Sequence, residues 1–254
     1  MKPVPLDFTF AAFDLFCQRI RHMPVFSVAG FLARAAPPPT PFVILRLDVD
    51  YRETHAVSLA RIADRYNVQG TFYFRRREQG FDWQAIRAVA DLGHEVGYHF
   101  ETLDRARGDV VRARELFLKD LEAFRRAGFP ARTVAAHGAP PTAPTYHGNL
   151  DLLRDAPGLL DKAGLLGETT LSIDFTNVAY LSDATWRWRR YDHYQPGQPG
   201  RPTTLRAILA ELTRRDAGLY ITFHPHQWFP HPAQALFFRA RNRIARQLVR
   251  RATG

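Results

Sequence analysis

The chain has 254 residues, of which 46% are hydrophobic and 24% charged, a composition that excludes intrinsic disorder. Its single cysteine, Cys17, excludes an intramolecular disulfide and a multi-cysteine zinc site. No apolar run approaches the roughly 20 residues a membrane span needs, and MKPVPLDFTF does not read as a signal peptide, so a cytoplasmic location is expected.

Residues 7–35 read as mostly helical, with Cys17 on the apolar face of FAAFDLFCQRI, and AAPPPTP (35–41) as a proline-stiffened connector. Residues 1–41 are thus expected to precede the main domain. FVILRLD (42–48) is continuously apolar up to its end and reads as a strand buried on both faces. ETHAVSLARIADRYNV follows as an amphipathic helix with Ala56, Leu59, Ala60, Ile62 and Ala63 inward. The alternation continues with strand GTFYF (70–74), helix DWQAIRAVADLG, strand HEVGYH (94–99), helix DVVRARELFLKDLEAFRRAGF and strand RTVAAH (132–137). ETTLSIDF and NVAYLS are further strand candidates, TLRAILAELTRRD a helix and GLYITFH (218–224) a last buried strand. Strand–helix alternation at this spacing gives parallel strands joined by right-handed crossovers, and six or seven of them give a barrel or a curled open sheet. The main domain spans 42–230 and includes a long aperiodic loop, RWRRYDHYQPGQPGRP (187–202).

The net charge is +10, and much arginine lies in the tail FFRARNRIARQLVRR. Residues 231–254 read as a basic amphipathic helix, with Phe238, Ile244, Leu248 and Val249 on one side. Such a helix either packs on the domain or rests on an anionic membrane surface. No helix-turn-helix, finger or RNP pattern accompanies the charge, so no nucleic-acid partner is expected.

In parallel β/α architectures the reactive groups collect at the carboxyl ends of the strands. Here those ends carry Asp48 and Asp50, His99 and Glu101, His137, Asp174 and His224. Residues two apart on a strand face the same way, so Asp48 with Asp50 and His99 with Glu101 form same-face pairs. Two close carboxylates repel unless a cation or a proton lies between them. Carboxylate and imidazole are ligands for Zn²⁺ or another divalent ion, and an open coordination position activates water. With a free carboxylate as base and a histidine as acid, the set amounts to metal-assisted hydrolysis of an amide or ester.

LDVDYR, GHEVGYH, HGAP and ITFHPHQW, in this order from about residue 42 to 230, resemble the polysaccharide deacetylase family with the NodB homology fold, relatives of carbohydrate esterase group 4. The resemblance implies an α/β, distorted (β/α) barrel. It implies Asp48 as base, Asp50 and His99 as metal ligands and His224 as acid, with AAHGAP standing where the family has an arginine–proline motif. GLLGETTLSIDF and AYLSDATWRW add similarity to a divergent branch associated with bacterial surface-polysaccharide synthesis. The family's second histidine falls four residues after His99, where this chain has Leu103. Glu101 or His137 is then the third ligand. His137 and Asp174 are expected to position substrate. Trp186, Trp188, Tyr191 and Trp228 offer flat faces for pyranose rings, and Arg187, Arg189 and Arg190 offer forks for carboxylate or phosphate. The implied function is Zn²⁺- or other metal-dependent removal of an N-acetyl or N-formyl group from an amino sugar, nucleotide- or lipid-linked, in surface-polysaccharide biosynthesis. The alternative is a lapsed member that binds carbohydrate without hydrolysis.

Overall fold

The strand at Phe42–Val49 is buried at all 8 positions and is the centre of the molecule. In the computed structural model, which describes residues 6–36, 38–138, 148–156, 158–195, 198–212 and 218–253, ten strands join one sheet. They are β1 (Val25–Phe26), β2 (Phe42–Val49), β3 (Thr71–Arg75), β4 (Glu95–Phe100), β5 (Thr133–Ala136), β6 (Gly167–Glu168), β7 (Val178–Ser182), β8 (Arg189–Tyr191), β9 (Arg201–Pro202) and β10 (Gly218–Phe223). The order is β6-β5-β4-β3-β2-β10-β7-β8-β9, with β1 also on β2. Pairs from β6 through to β7 are parallel, and β8 and β9 add an antiparallel edge. This is the expected α/β architecture.

The helices are α1 (Phe10–Ile20), α2 (Val28–Leu32), α3 (Glu53–Asp64), α4 (Trp83–Ala90), α5 (Thr102–Arg105), α6 (Val110–Arg126), α7 (Asp151–Arg154), α8 (Leu159–Lys162), α9 (Leu205–Glu211) and α10 (Pro232–Thr253). Several start on a side chain that accepts from the first turn: Asp82 from Ala85 N, Asp109 from Arg112 N and Thr204 from Ala207 N.

The period of two on each strand separates two apolar clusters. Val43, Leu45, Leu47 and Val49 of β2 pack with Phe72, Phe74, Tyr98, Phe100 and the helices. Phe42 and Ile44 point the other way and meet Tyr73, Ala135, Ile173, Phe175, Tyr180 and Tyr220. Tyr73, Ala135 and Tyr180 among them come from β3, β5 and β7, which are not adjacent in the sheet order, so the sheet curls around its own side chains as an incomplete barrel. Gly97 makes room inside: a Cβ there would lie 2.6 Å from the Tyr73 ring, whose hydroxyl bonds Thr133 Oγ1 at 2.6 Å.

The described residues ahead of β2 do not stand apart. Phe13 and Phe16 of α1 each lie 5.0 Å, centroid to centroid, from Phe223 of β10, and β1 pairs with β2. The loop at 187–202 is also more ordered than its composition implies, because it supplies β8 and β9. Of ETTLSIDF (168–175), only Glu168 lies in a strand, β6. Beyond it the Glu168 carboxylate accepts from the backbone N–H groups of Thr170 and Leu171, turning the chain.

Candidate active site

Beyond the apolar layer, the same inward positions carry charge. Arg46 lies two residues after Ile44, and Asp48 two after that. Arg46 Nε and Nη2 donate to Asp48 Oδ1 and Oδ2, each at 2.7 Å, and Arg46 Nη1 donates to Thr169 Oγ1 at 2.8 Å. Both residues are buried. Burial opposes the Asp48 carboxylate, but the guanidinium, with His99 and His224, holds it below the usual carboxylate range. The arginine that pairs with the strand-end acid is thus on the same strand, and HGAP carries none. Ala139 and Pro140 of that motif lie outside the described residues.

Asp50 sits where β2 has ended, among three imidazoles. His99 Nε2 is 3.3 Å from Asp50 Oδ1, His137 Nε2 is 3.6 Å from the same oxygen, and His226 Nδ1 is 3.4 Å from Oδ2. His99 Nδ1 lies 3.0 Å from the carbonyl oxygen of Ala135. A carbonyl only accepts, so Nδ1 carries a proton and Nε2 is the ring atom turned to the carboxylate. Among the described residues Asp50 Oδ1 is buried with no hydrogen-bond partner. The ligand atoms of Asp50, His99 and His137 lie within 4.8 Å of one another. This oxygen and two nitrogens are a donor set that suits Zn²⁺ or a similar ion. Burial, with the charge of His99, lowers the His137 pKa to about 4, and burial lowers that of His226 to about 4. Both are therefore neutral at pH 7, the form in which imidazole binds metal.

His224 has the opposite character. Asp183, fully buried after β7, accepts from His224 Nδ1 at 2.6 Å, from the His224 backbone N at 3.0 Å and from Trp228 Nε1 at 2.6 Å. Burial works against the imidazolium, but the hydrogen bond and charge of Asp183, helped by Asp50 and Asp48, outweigh it and raise the pKa to about 9. His224 Nε2 points into the site, 3.9 Å from Asp48 Oδ2. The site thus holds an ionised carboxylate, a cationic imidazole and neutral imidazoles within a few ångströms.

The structure brings Asp48, Asp50, His99, His137 and His224 together. Glu101, expected beside His99 as a metal ligand, is paired with the Arg75 guanidinium and belongs to a second group that could hold a metal ion. It groups with Asp104 and His137 and is outside the trio built on Asp50. Asp174 is exposed, and its Oδ1 accepts from Thr176 N and Oγ1, so the expected substrate-positioning role has no geometry behind it. Trp186, Trp188 and Trp228 are buried, so they offer no open sugar platform. Trp228 packs against Phe13 and Phe223, Trp188 against Phe223, and Trp186 against Phe229. Arg187 is exposed. Arg190 is paired with Asp192 and Glu211, and Arg189 donates to the Gly200 carbonyl. Sequence reasoning missed Arg46, Asp183 and His226. Arg46 immediately precedes LDVD, Asp183 ends AYLSD, and His226 is the second imidazole of HPH.

No protein-family model matches the chain, and no curated protein does. Among solved structures the chain is similar to a CE4 family pseudoenzyme from Bacillus anthracis, at 13% identity and a TM-score of 0.43, over 82% of this chain and 63% of that one. It is also similar to two mutants of that pseudoenzyme, one described as having restored enzymatic activity. These align at 12% and 13% identity and a TM-score of 0.38, each over 82% of this chain and 65% of the other. The chain therefore spans less than two thirds of the length of the structures it matches. The fold class stands on the strand order and pairing described above.

Proposed function

We propose that the chain is a metal-dependent hydrolase that removes an N-acyl group, acetyl or formyl, from an amino sugar. The observation that carries the reading is the convergence of Asp50 Oδ1 with His99 Nε2 and His137 Nε2, ligand atoms within 4.8 Å of one another. Asp50, His99 and His137 would hold the cation, with His226 on the other Asp50 oxygen. Bound there, a divalent ion acidifies water and polarises a carbonyl. Asp48, ionised and fixed by Arg46, takes the proton of the attacking water through Oδ2, which keeps a lone pair free of the guanidinium. The water oxygen bonds to the acyl carbon, and the C–N bond breaks. His224 Nε2 gives its proton to the leaving nitrogen, and Asp183 stabilises the imidazolium until it does. The products are a carboxylic acid and an amine. The amino sugar, and a place in surface-polysaccharide assembly, rest on the likeness of LDVD, GHEVGYH and FHPHQW to polysaccharide deacetylases.

Dialysis against a chelator abolishes release of amine from a panel of N-acetylated and N-formylated amino sugars, and Zn²⁺ or Co²⁺ restores it. Hydrolysis that persists in metal-free protein rules the mechanism out. Leu103, buried where the family has its second histidine, favours a second reading, a carbohydrate-binding protein without hydrolysis. Under that reading the protein binds sugars from the panel and releases no amine with any metal.

No helix among the described residues is long and apolar enough to cross a membrane. We propose that α10 instead rests on an anionic membrane surface. Leu236, Phe237 and Ile244 are 53%, 62% and 58% exposed. Helical spacing puts them on one side, with Arg241 and Arg243 flanking.

A further inference from the structure

A cleft of about 400 Å³ lies beside the Asp50 cluster, lined by Tyr51, Arg75, Arg76, Arg77, Glu78 and Glu101. Two contacts tie it to the site. Tyr51 follows Asp50 in the chain, is 39% exposed, and stacks on His226 at 4.2 Å between ring centroids. Arg77 Nη1 donates to the Asp50 carbonyl oxygen at 2.9 Å. A substrate with its acyl group at Asp50 therefore has the Tyr51 ring and the arginines in its path.

The three arginines are not equally engaged. Arg75 is paired closely with Glu101. Arg76 faces Asp120 at 3.8 Å, and that carboxylate already accepts from Tyr98 and Arg105. Arg77 faces Glu53 at 4.0 Å. Among the described residues, neither of these two forks has an ion-pair carboxylate nearer than 3.8 Å. Their backbone is fixed: Arg77 N donates to Gly80 O at 2.8 Å and Gly80 N to Arg77 O at 3.0 Å, a turn closed by Gly80 at φ 103°. Guanidinium forks are suited to planar or tetrahedral oxyanions.

We propose that this cleft is a subsite for an oxyanion on the substrate, a carboxylate or a phosphate, taken by Arg76 and Arg77 while Tyr51 lies under the adjoining ring. The inference rests on the Asp50 cluster being where the acyl group sits, and it narrows the substrate to acidic or phosphorylated amino sugars.

The test is a ligand-observed NMR titration of the full-length, metal-loaded chain with three probes: N-acetylglucosamine, its 1-phosphate and N-acetylglucosaminuronic acid. At least one charged probe binds about 10-fold more tightly than the neutral one, the scale of a charge-assisted hydrogen bond. The preference shrinks in high salt. Whether phosphate or uronate gains more identifies the oxyanion. Arg76→Gln removes most of the preference and leaves the affinity of the neutral probe unchanged. Equal binding of all three, binding of none, or a preference that survives Arg76→Gln overturns the proposal. A preference lost with Arg76→Gln, in a protein that releases no amine, upholds the subsite and refutes the hydrolase instead.

Discussion

Asp183→Asn removes the charge that sustains the His224 imidazolium while keeping the size of the side chain. In the native protein the His224 side chain is 15% exposed and its pKa is about 9, against 6.5 for the free residue. At about 1.4 kcal/mol per pH unit, the difference amounts to about 3 kcal/mol of folding free energy. A raised pKa contributes fully below pH 6.5, and the contribution is lost as pH rises through 9. Chelator-treated native protein therefore loses about 3 kcal/mol from this group between pH 6.5 and the alkaline side of 9, and the Asn variant loses little of it. The variant is less stable throughout, because three N–H donors converge on Asp183 and an amide nitrogen accepts from none of them. The pH slope, and not the absolute stability, is the diagnostic quantity. Urea unfolding across pH gives the slope, and NMR titration of ¹³C-labelled histidine gives the pKa. A native His224 titrating at 6.5 or below, or one unmoved by Asp183→Asn, would refute the assignment of His224 as the proton donor.

Three further outcomes follow from the geometry. His137→Ala weakens zinc binding by about 100-fold or more, whereas Glu101→Gln, whose carboxylate is engaged by Arg75, leaves it nearly unchanged; competition with a chromophoric chelator measures both. Arg46→Met strands a buried carboxylate and costs about 3–5 kcal/mol, and adding Asp48→Leu recovers most of that loss; denaturant midpoints of the single and double variants test the pairing. Sedimentation with anionic vesicles pulls down the full chain, and Phe237→Asp together with Ile244→Asp releases it; equal sedimentation of the two removes the membrane contact.

Much of the barrel was legible because its strands are short, apolar and regularly spaced by amphipathic helices. FVILRLD, GTFYF, HEVGYH and GLYITFH all became neighbouring strands. The strand-end acids and imidazoles were legible for the same reason: a parallel sheet delivers every carboxyl end to one rim. ETTLSIDF misled because its alternation imitates a strand, whereas Glu168 uses its carboxylate to turn the backbone. Asp174 went astray with it. Asp183 could be counted as a strand-end acid, but its hold on His224 depends on β7 and β10 being neighbours, which the sequence does not state. The tryptophans read as sugar platforms because nothing local reveals that Phe8 and Phe13 of the N-terminal segment cover their faces. Arg46 was overlooked inside an apolar run, although its spacing of two from Asp48 places both on one face.

The most direct measurement is a crystal grown with excess Zn²⁺ and analysed at the zinc absorption edge. One anomalous peak is expected about 2.0–2.2 Å from an Asp50 oxygen and a ring nitrogen of each of His99 and His137, and Asp50→Asn should remove it. Density explained by water alone at that position, with those three side chains turned apart, would contradict the account.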